Sequence, residues 1–184
     1  MKNSKKISLI ALVGAESTGK TTLAQALIER LGGLALPEVL REFCDIHGRP
    51  PRAEEQRQIT KLQIHAEVNA VAQAQEQNFD WIFIDSTPLM TAIYSELLFK
   101  ESDFIAAAIR HHAGYSATLF LQPDIGWQAD GIQRDGAHMQ APVTQALALY
   151  LPQTSTPFVS ITGAGADRAQ NALIALNELG LLPE

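Results

Sequence analysis

The chain has 184 residues, of which 46% are hydrophobic, 18% charged and 7% aromatic, a balance that excludes disorder and provides for one hydrophobic core. Fourteen basic against 20 acidic residues leave a net charge of −6, the wrong sign for a surface that grips a phosphate backbone, so nucleic acid is not the expected partner. The length and the lack of a linker-like stretch predict a single domain over residues 1–184, and the lone Cys44 gives no reason to place the chain outside the cytoplasm.

Residues 7 to 13, ISLIALV, follow a cluster of lysines as the apolar part of a signal peptide would. The run is short for that purpose and opens into a glycine-rich loop rather than a cleavage site. No apolar stretch approaches the ~20 residues that cross a bilayer, so no membrane partner is expected. Apolar throughout instead of alternating, ISLIALV reads as a strand covered on both faces, the signature of a parallel sheet. It runs into Gly14-Ala15-Glu16-Ser17-Thr18-Gly19-Lys20-Thr21, which fits Gly-x4-Gly-Lys-Ser/Thr between a predicted strand and a predicted helix. Glycines let the backbone wind so that successive N–H groups converge on a β-phosphate at a helix N-terminus. Lys20 bridges β- and γ-phosphates, the Thr21 hydroxyl ligates magnesium, and Thr22 is read as a buried or capping hydroxyl beside them. Leu23, Leu27 and Leu31 carry the helix to Gly32-Gly33.

The short strand LALP (34–37) is followed by Glu38, placed to orient and deprotonate a hydroxyl nucleophile if the strand points at the ligand crevice. Arg41 and Glu42 lie one turn further on; Arg41 contacts substrate or phosphate, or else forms an ordinary Glu-x-x-Arg surface pair with Glu38. A long helix is predicted from about Ala53 to Gln77. WIFID (81–85) is a buried strand ending in Asp85, at the sheet edge where open α/β folds bind ligands. Asp85 holds a magnesium-bound water, accepts the acceptor's proton, or caps the helix that Thr87-Pro88 opens.

A further helix is predicted over Asp103 to His112, with His111 and His112 read as solvent residues at its end. After the strand ATLFLQ (117–122), residues 123–140 form a long polar, glycine-rich loop of the kind that is usually functional, read as a lid. A helix over 141–150, the strand PFVSIT (157–162) and a helix over 167–179 complete an α/β fold: a three-layer α/β/α P-loop NTPase sandwich on a five-stranded parallel sheet. In the last loop Arg168 stacks on a base, or Asp167 simply caps the final helix. His47, His65 and His138 lack metal-ligand spacing. Guanine-specific and transporter signatures are absent, which leaves small kinases and small regulatory NTPases.

GAESTGKTTLAQAL, PEVLREF, FIDSTPLMTAIYSE, PDIGWQADG and the glycine-rich turn with Arg168 together resemble the nicotinamide riboside kinase family, in particular the kinase domain of NadR-type proteins. The resemblance runs through nearly the whole chain. It implies ATP and Mg2+ as cofactors and a small-molecule nucleoside as substrate, phosphorylated on its 5'-hydroxyl. By the same resemblance Gly14 to Thr22 hold the phosphates, Glu38 and Asp85 face the acceptor hydroxyl and metal, and Trp127 with Asp130 lines the nucleoside. A tryptophan plane suits a cationic pyridinium, and a carboxylate suits ribose hydroxyls; the competing role for Trp127 is that of a core aromatic. The family places an arginine close behind Asp-Gly, whereas this chain delays it to Arg134, the candidate for charge stabilisation. His111-His112-Ala113-Gly114 does not match the His-x-Gly-His motif of the family's adenylyltransferase domain. Self-association into a homo-oligomer is compatible with everything in the sequence. A regulatory ATPase that phosphorylates no small molecule is the alternative.

Overall fold

The computed structural model describes residues 6–128 and 136–182. Five strands, β1 (Ser8–Val13), β2 (Leu34–Leu36), β3 (Trp81–Asp85), β4 (Ala117–Leu121) and β5 (Phe158–Ile161), form one all-parallel sheet in the order β2-β3-β1-β4-β5. Every residue of β3 and β4 is buried, which is why their sequences are apolar without alternation.

Successive side chains of a strand point to opposite faces, and the two faces of β1 feed two cores. Ile10 and Leu12 pack with Leu23, Ala24 and Leu27 of α1 (Lys20–Leu31) and with Ala172 and Leu176 of α7 (Gly165–Glu178). Ala11 and Val13 face the other way. They join a core with Ala70 and Ala74 of α3 (Gln56–Gln77), Leu89 and Ile93 of α4 (Pro88–Phe99), Ile105 of α5 (Ile105–His112) and Val143 of α6 (Gln140–Tyr150). The result is the expected α/β/α sandwich.

β1 lies between β3 and β4, so the chain leaves β1 in one direction and returns on its other side. This reversal opens a crevice at the carboxyl ends of β1 and β3, where Leu12 and Asp85 are register partners. The glycine-rich loop and Asp85 therefore face the same space because of strand order.

Several local expectations are corrected. Glu38 stands at the N-cap of α2 (Val39–His47), an amphipathic helix that carries Arg41 and Glu42, buries Phe43 and Cys44 and ends on Gly48 in the left-handed region. Ala164 stands at the N-cap position of α7, so Asp167 lies inside its first turn and caps nothing. Thr87 does occupy the N-cap of α4, yet its hydroxyl is buried without a hydrogen bond.

His111 and His112 are not solvent residues. His112 is 1% exposed and its Nε2 lies 2.8 Å from the Thr118 hydroxyl of β4. His111 Nε2 lies 2.7 Å from the carboxylate of Glu67, itself buried and bonded by Tyr115 Oη at 2.9 Å. The helix end is pressed against α3 and β4, a tertiary contact that dipole reasoning cannot see.

Candidate active site

Gly14 follows β1 at a place where a Cβ would meet Leu121 O at 2.7 Å and Thr18 Oγ1 at 2.8 Å, so only glycine fits. Ser17 (φ 59°) and Gly19 (φ 78°) then adopt left-handed backbone, the alternation that turns consecutive N–H groups toward one concavity. The buried Thr18 hydroxyl closes the loop from within by donating to Ala15 O at 2.8 Å. Gly19 stands at the N-cap of α1 and no side chain caps that helix, so its first-turn donors remain directed at the cleft.

Lys20 Nζ donates to Gly14 O at 3.1 Å and Ala15 O at 3.2 Å, curling back over the loop. The Thr21 hydroxyl donates to Asp85 Oδ2 at 2.5 Å, joining the start of α1 to the end of β3. Asp85 is 4% exposed, and its second oxygen, Oδ1, is buried without a hydrogen-bond partner among the described residues. An orphaned carboxylate oxygen beside a hydroxyl is a hard donor set that fits a divalent cation such as Mg2+. Ser86, next in the chain, is 8% exposed and held at φ 91°, a strained conformation of the sort that marks functional turns.

Arg168 is 3% exposed and spends its guanidinium on protein. Nε donates to Gly163 O at 2.6 Å, one terminal nitrogen donates to Thr18 O in the phosphate loop, and the other donates to Gln122 O at 3.1 Å and to the Asp124 carboxylate. Asp124 also accepts from Gly163 N at 2.7 Å. One arginine thereby fastens together the phosphate loop, the segment after β4 and the segment after β5. Nothing in PDIGWQADG marked Asp124 for this: its partner lies 44 positions away.

These elements enclose a cleft of about 620 Å3. Glu16, Ser17, Gly19, Lys20, Thr21, Thr22, Asp85 and Arg168 line one end; Thr22, expected to be buried or capping, is exposed to it. Glu38 at the N-cap of α2, with Leu40, Arg41, Pro50, Pro51, Gln56, Met90, Tyr94 and Leu98, lines the other. Of the loop after β4, Ile125, Gly126 and Gln128 reach the cleft but Trp127 does not, and its indole nitrogen is buried without a partner. The Ser17 hydroxyl donates to Gln128 O at 2.7 Å, and Gln140 Nε2 donates to Glu16 O at 2.9 Å, so both flanks of this loop are tied to the phosphate loop. Asp130 and Arg134 lie outside the described residues.

Fold and loop together define a P-loop domain of three-layer α/β/α architecture. Residues 9–168 match the family model described as AAA domain, and the chain belongs to that family. Two solved structures of NadR protein share the fold over 97% of this chain and 51% of their own, each at 18% identity. The complex with NR has a TM-score of 0.79, and the complex with NAD and AMP-PNP one of 0.73. Deoxyadenosine kinase from M. mycoides with bound dATP aligns with a TM-score of 0.59 at 16% identity, covering 92% of this chain and 99% of that one. The chain spans about half the length of the NadR chains it matches. No curated protein sequence matches it. Among the described residues no helix is long and apolar enough to cross a membrane.

Proposed function

We propose that this chain transfers the γ-phosphoryl group of ATP to the 5'-hydroxyl of nicotinamide riboside, forming nicotinamide mononucleotide and ADP. The observation that carries the reading is a single cleft with a phosphate-binding loop at one end and a carboxylate, Glu38, in a mostly apolar wall at the other. A regulatory ATPase needs the first end and has no use for the second. The NadR structure with bound NR supports the choice of acceptor.

On this reading the N–H groups of Gly14 to Thr22 and the start of α1 receive the β-phosphate, and the Lys20 ammonium exchanges its two loop carbonyls for β- and γ-oxygens. Thr21 and Asp85 would hold Mg2+, which when bound would neutralise phosphate charge. Glu38 accepts the proton as the 5'-oxygen attacks the γ-phosphorus and the bond to the β-phosphate oxygen breaks, releasing ADP. Arg41 and Tyr94 face the nucleoside; a cationic pyridinium on the ring of Tyr94 gains from cation–π attraction. Asp130 and Arg134 keep their proposed parts in ribose binding and charge stabilisation.

The test is ADP release measured with nicotinamide riboside, uridine and adenosine. Acceleration by nicotinamide riboside supports the proposal. A response to uridine or adenosine alone keeps the kinase and rejects this acceptor, and a flat response to all three rejects the kinase.

A further inference from the structure

Thr87 stands at the N-cap of α4 in extended backbone, where a threonine hydroxyl ordinarily accepts a hydrogen bond from the first turn of its helix. It makes no such bond here. Met90 N donates instead to Thr87 O at 2.9 Å, so the backbone is satisfied and the side chain is not. The residue is 1% exposed, and its Oγ1 is buried without a hydrogen-bond partner among the described residues. A hydroxyl left in that state costs stability unless something pairs with it. Thr87 lines a small cavity of about 10 Å3 that shares Glu38 and Tyr94 with the acceptor end of the cleft, whereas Gln63, Ser86 and Thr91 line the cavity and not the cleft. Gln63 is held in that wall by donating to the buried Glu67 carboxylate at 3.2 Å. Ser86, at φ 91°, makes the turn that carries the chain from Asp85 to Thr87.

A cavity of this size admits one water molecule and no substituent of the acceptor, and a buried water needs several polar partners to stay. We propose that one ordered water in this cavity joins Thr87 Oγ1 to the carboxylate of Glu38, which makes Thr87 a positioning residue for the base. Gln63, Ser86 and Thr91 offer further polar groups to the same water. A carboxylate accepts at several lone-pair sites, so a bond from behind leaves its other side to the acceptor hydroxyl. A hydroxyl suits the task because it both donates and accepts. While Glu38 is ionised, Thr87 donates to the water and the water donates to the carboxylate; once Glu38 carries the acceptor's proton, Thr87 and the water turn to accept. The bridge also fixes the rotamer of a long side chain that must meet the 5'-oxygen in one geometry. This rests on Glu38 as the base of the proposed function and deepens it by naming what holds the base in place.

The experiment has a structural and a kinetic arm. A crystal structure of the wild-type chain, at a resolution that shows ordered waters, is expected to place one within hydrogen-bond distance of both Thr87 Oγ1 and a Glu38 carboxylate oxygen. A dry cavity, or a water out of reach of Glu38, overturns the bridge whatever the activity. In the kinetic arm Thr87→Val, which exchanges the hydroxyl for a methyl of similar size, should lower kcat for nicotinamide riboside about tenfold, with KM for the riboside and for ATP within about twofold. Thr87→Ser keeps the hydroxyl and should return kcat to within about threefold of wild type. An unchanged kcat in Thr87→Val overturns the positioning role, and an equal loss in both variants overturns it by assigning Thr87 to packing. Denaturation reads the hydroxyl independently. A bridged hydroxyl leaves Thr87→Val no more stable than wild type, whereas a gain in stability means that the hydroxyl has nothing to bond and overturns the bridge. Wild type that releases no ADP in response to any nucleoside overturns the proposed function and the positioning role with it, while the water beside Thr87 is still decided by the crystal structure.

Discussion

At the phosphate end of the cleft the side chains are bonded to protein before any ligand arrives: Thr18 to Ala15, Lys20 to two loop carbonyls, Thr21 to Asp85, Arg168 to three carbonyls and a carboxylate. At the acceptor end Leu40, Pro50, Pro51, Met90 and Leu98 give the wall its shape, and Glu38, Arg41, Gln56 and Tyr94 stand among them. The first end receives a ligand part that hardly varies between nucleotides and gains from fixed dipoles, since charge developing in transfer is best met by groups that need not reorganise. The second end selects by fit, where small changes in wall or ligand shift affinity by modest factors.

The largest expected effect breaks the phosphate end. Arg168→Ala leaves Asp124 without its cation and three carbonyls without a donor, and should destabilise the protein by about 3–5 kcal/mol in chemical denaturation. Arg168→Lys should recover little, because an ammonium cannot reproduce the guanidinium fork. An Arg168→Ala protein within about 1 kcal/mol of wild type would show that the arginine does not hold the loops together.

Lys20→Ala should instead spare the fold and remove catalysis. The ammonium bonds only to the loop it would leave for phosphate, so kcat/KM should fall a hundredfold or more, about 3 kcal/mol, with an unchanged denaturation midpoint. Retention of a tenth of wild-type activity would reject the phosphate-loop assignment.

Glu38 and Asp85 sharpen the contrast, because one belongs to each end. Glu38→Gln should lower kcat by roughly a hundredfold with ATP affinity unchanged, and Asp85→Asn should raise the Mg2+ concentration needed for half-maximal rate. Equal magnesium profiles and normal rates in both variants would remove the division of labour.

A control acts on neither end. Burial at the end of α5, against β4, lowers the His112 pKa from 6.5 to about 4, with the His111 charge adding to the effect. The unfolded chain therefore takes up this proton first as pH falls. The stability is fully present above about pH 6.5 and should drop by about 2 kcal/mol between pH 6.5 and 5. His112→Gln should lack that increment while both proteins keep similar acceptor selectivity. A flat wild-type profile over this range would mean that the imidazole is not held neutral.

The smallest effect belongs to the acceptor wall. Tyr94→Leu should raise KM for a cationic nucleoside by about threefold to thirtyfold, corresponding to roughly 0.5–2 kcal/mol of lost ring contact, and should alter KM for ATP by less than twofold. Equal losses for charged and uncharged nucleosides would assign Tyr94 to packing alone.

The sequence displays the phosphate end far better than the acceptor end. Strands without alternation announce a parallel sheet, and Gly-x4-Gly-Lys-Thr after one of them announces the loop, because both signals are local in the chain. Asp85 is legible as the last residue of WIFID. The walls of the acceptor end are not, since residues of α2, α3 and α4 that are far apart in the chain assemble them. Arg168 was visible as a candidate, but its bonds to Thr18, Gln122 and Asp124 span 150, 46 and 44 positions, and spacing carries no trace of them. His112 misled for the same reason: the dipole argument treats a helix end as solvated, and here β4 covers it.

The bond from Arg168 to Thr18 also constrains the order in which the site can come into being on the ribosome. The side chain that braces the loop is made 150 residues after the loop's Thr18. Over that stretch of synthesis the nascent chain carries a glycine-rich segment without its brace, and a fragment ending before α7 would display the motif without owning the site.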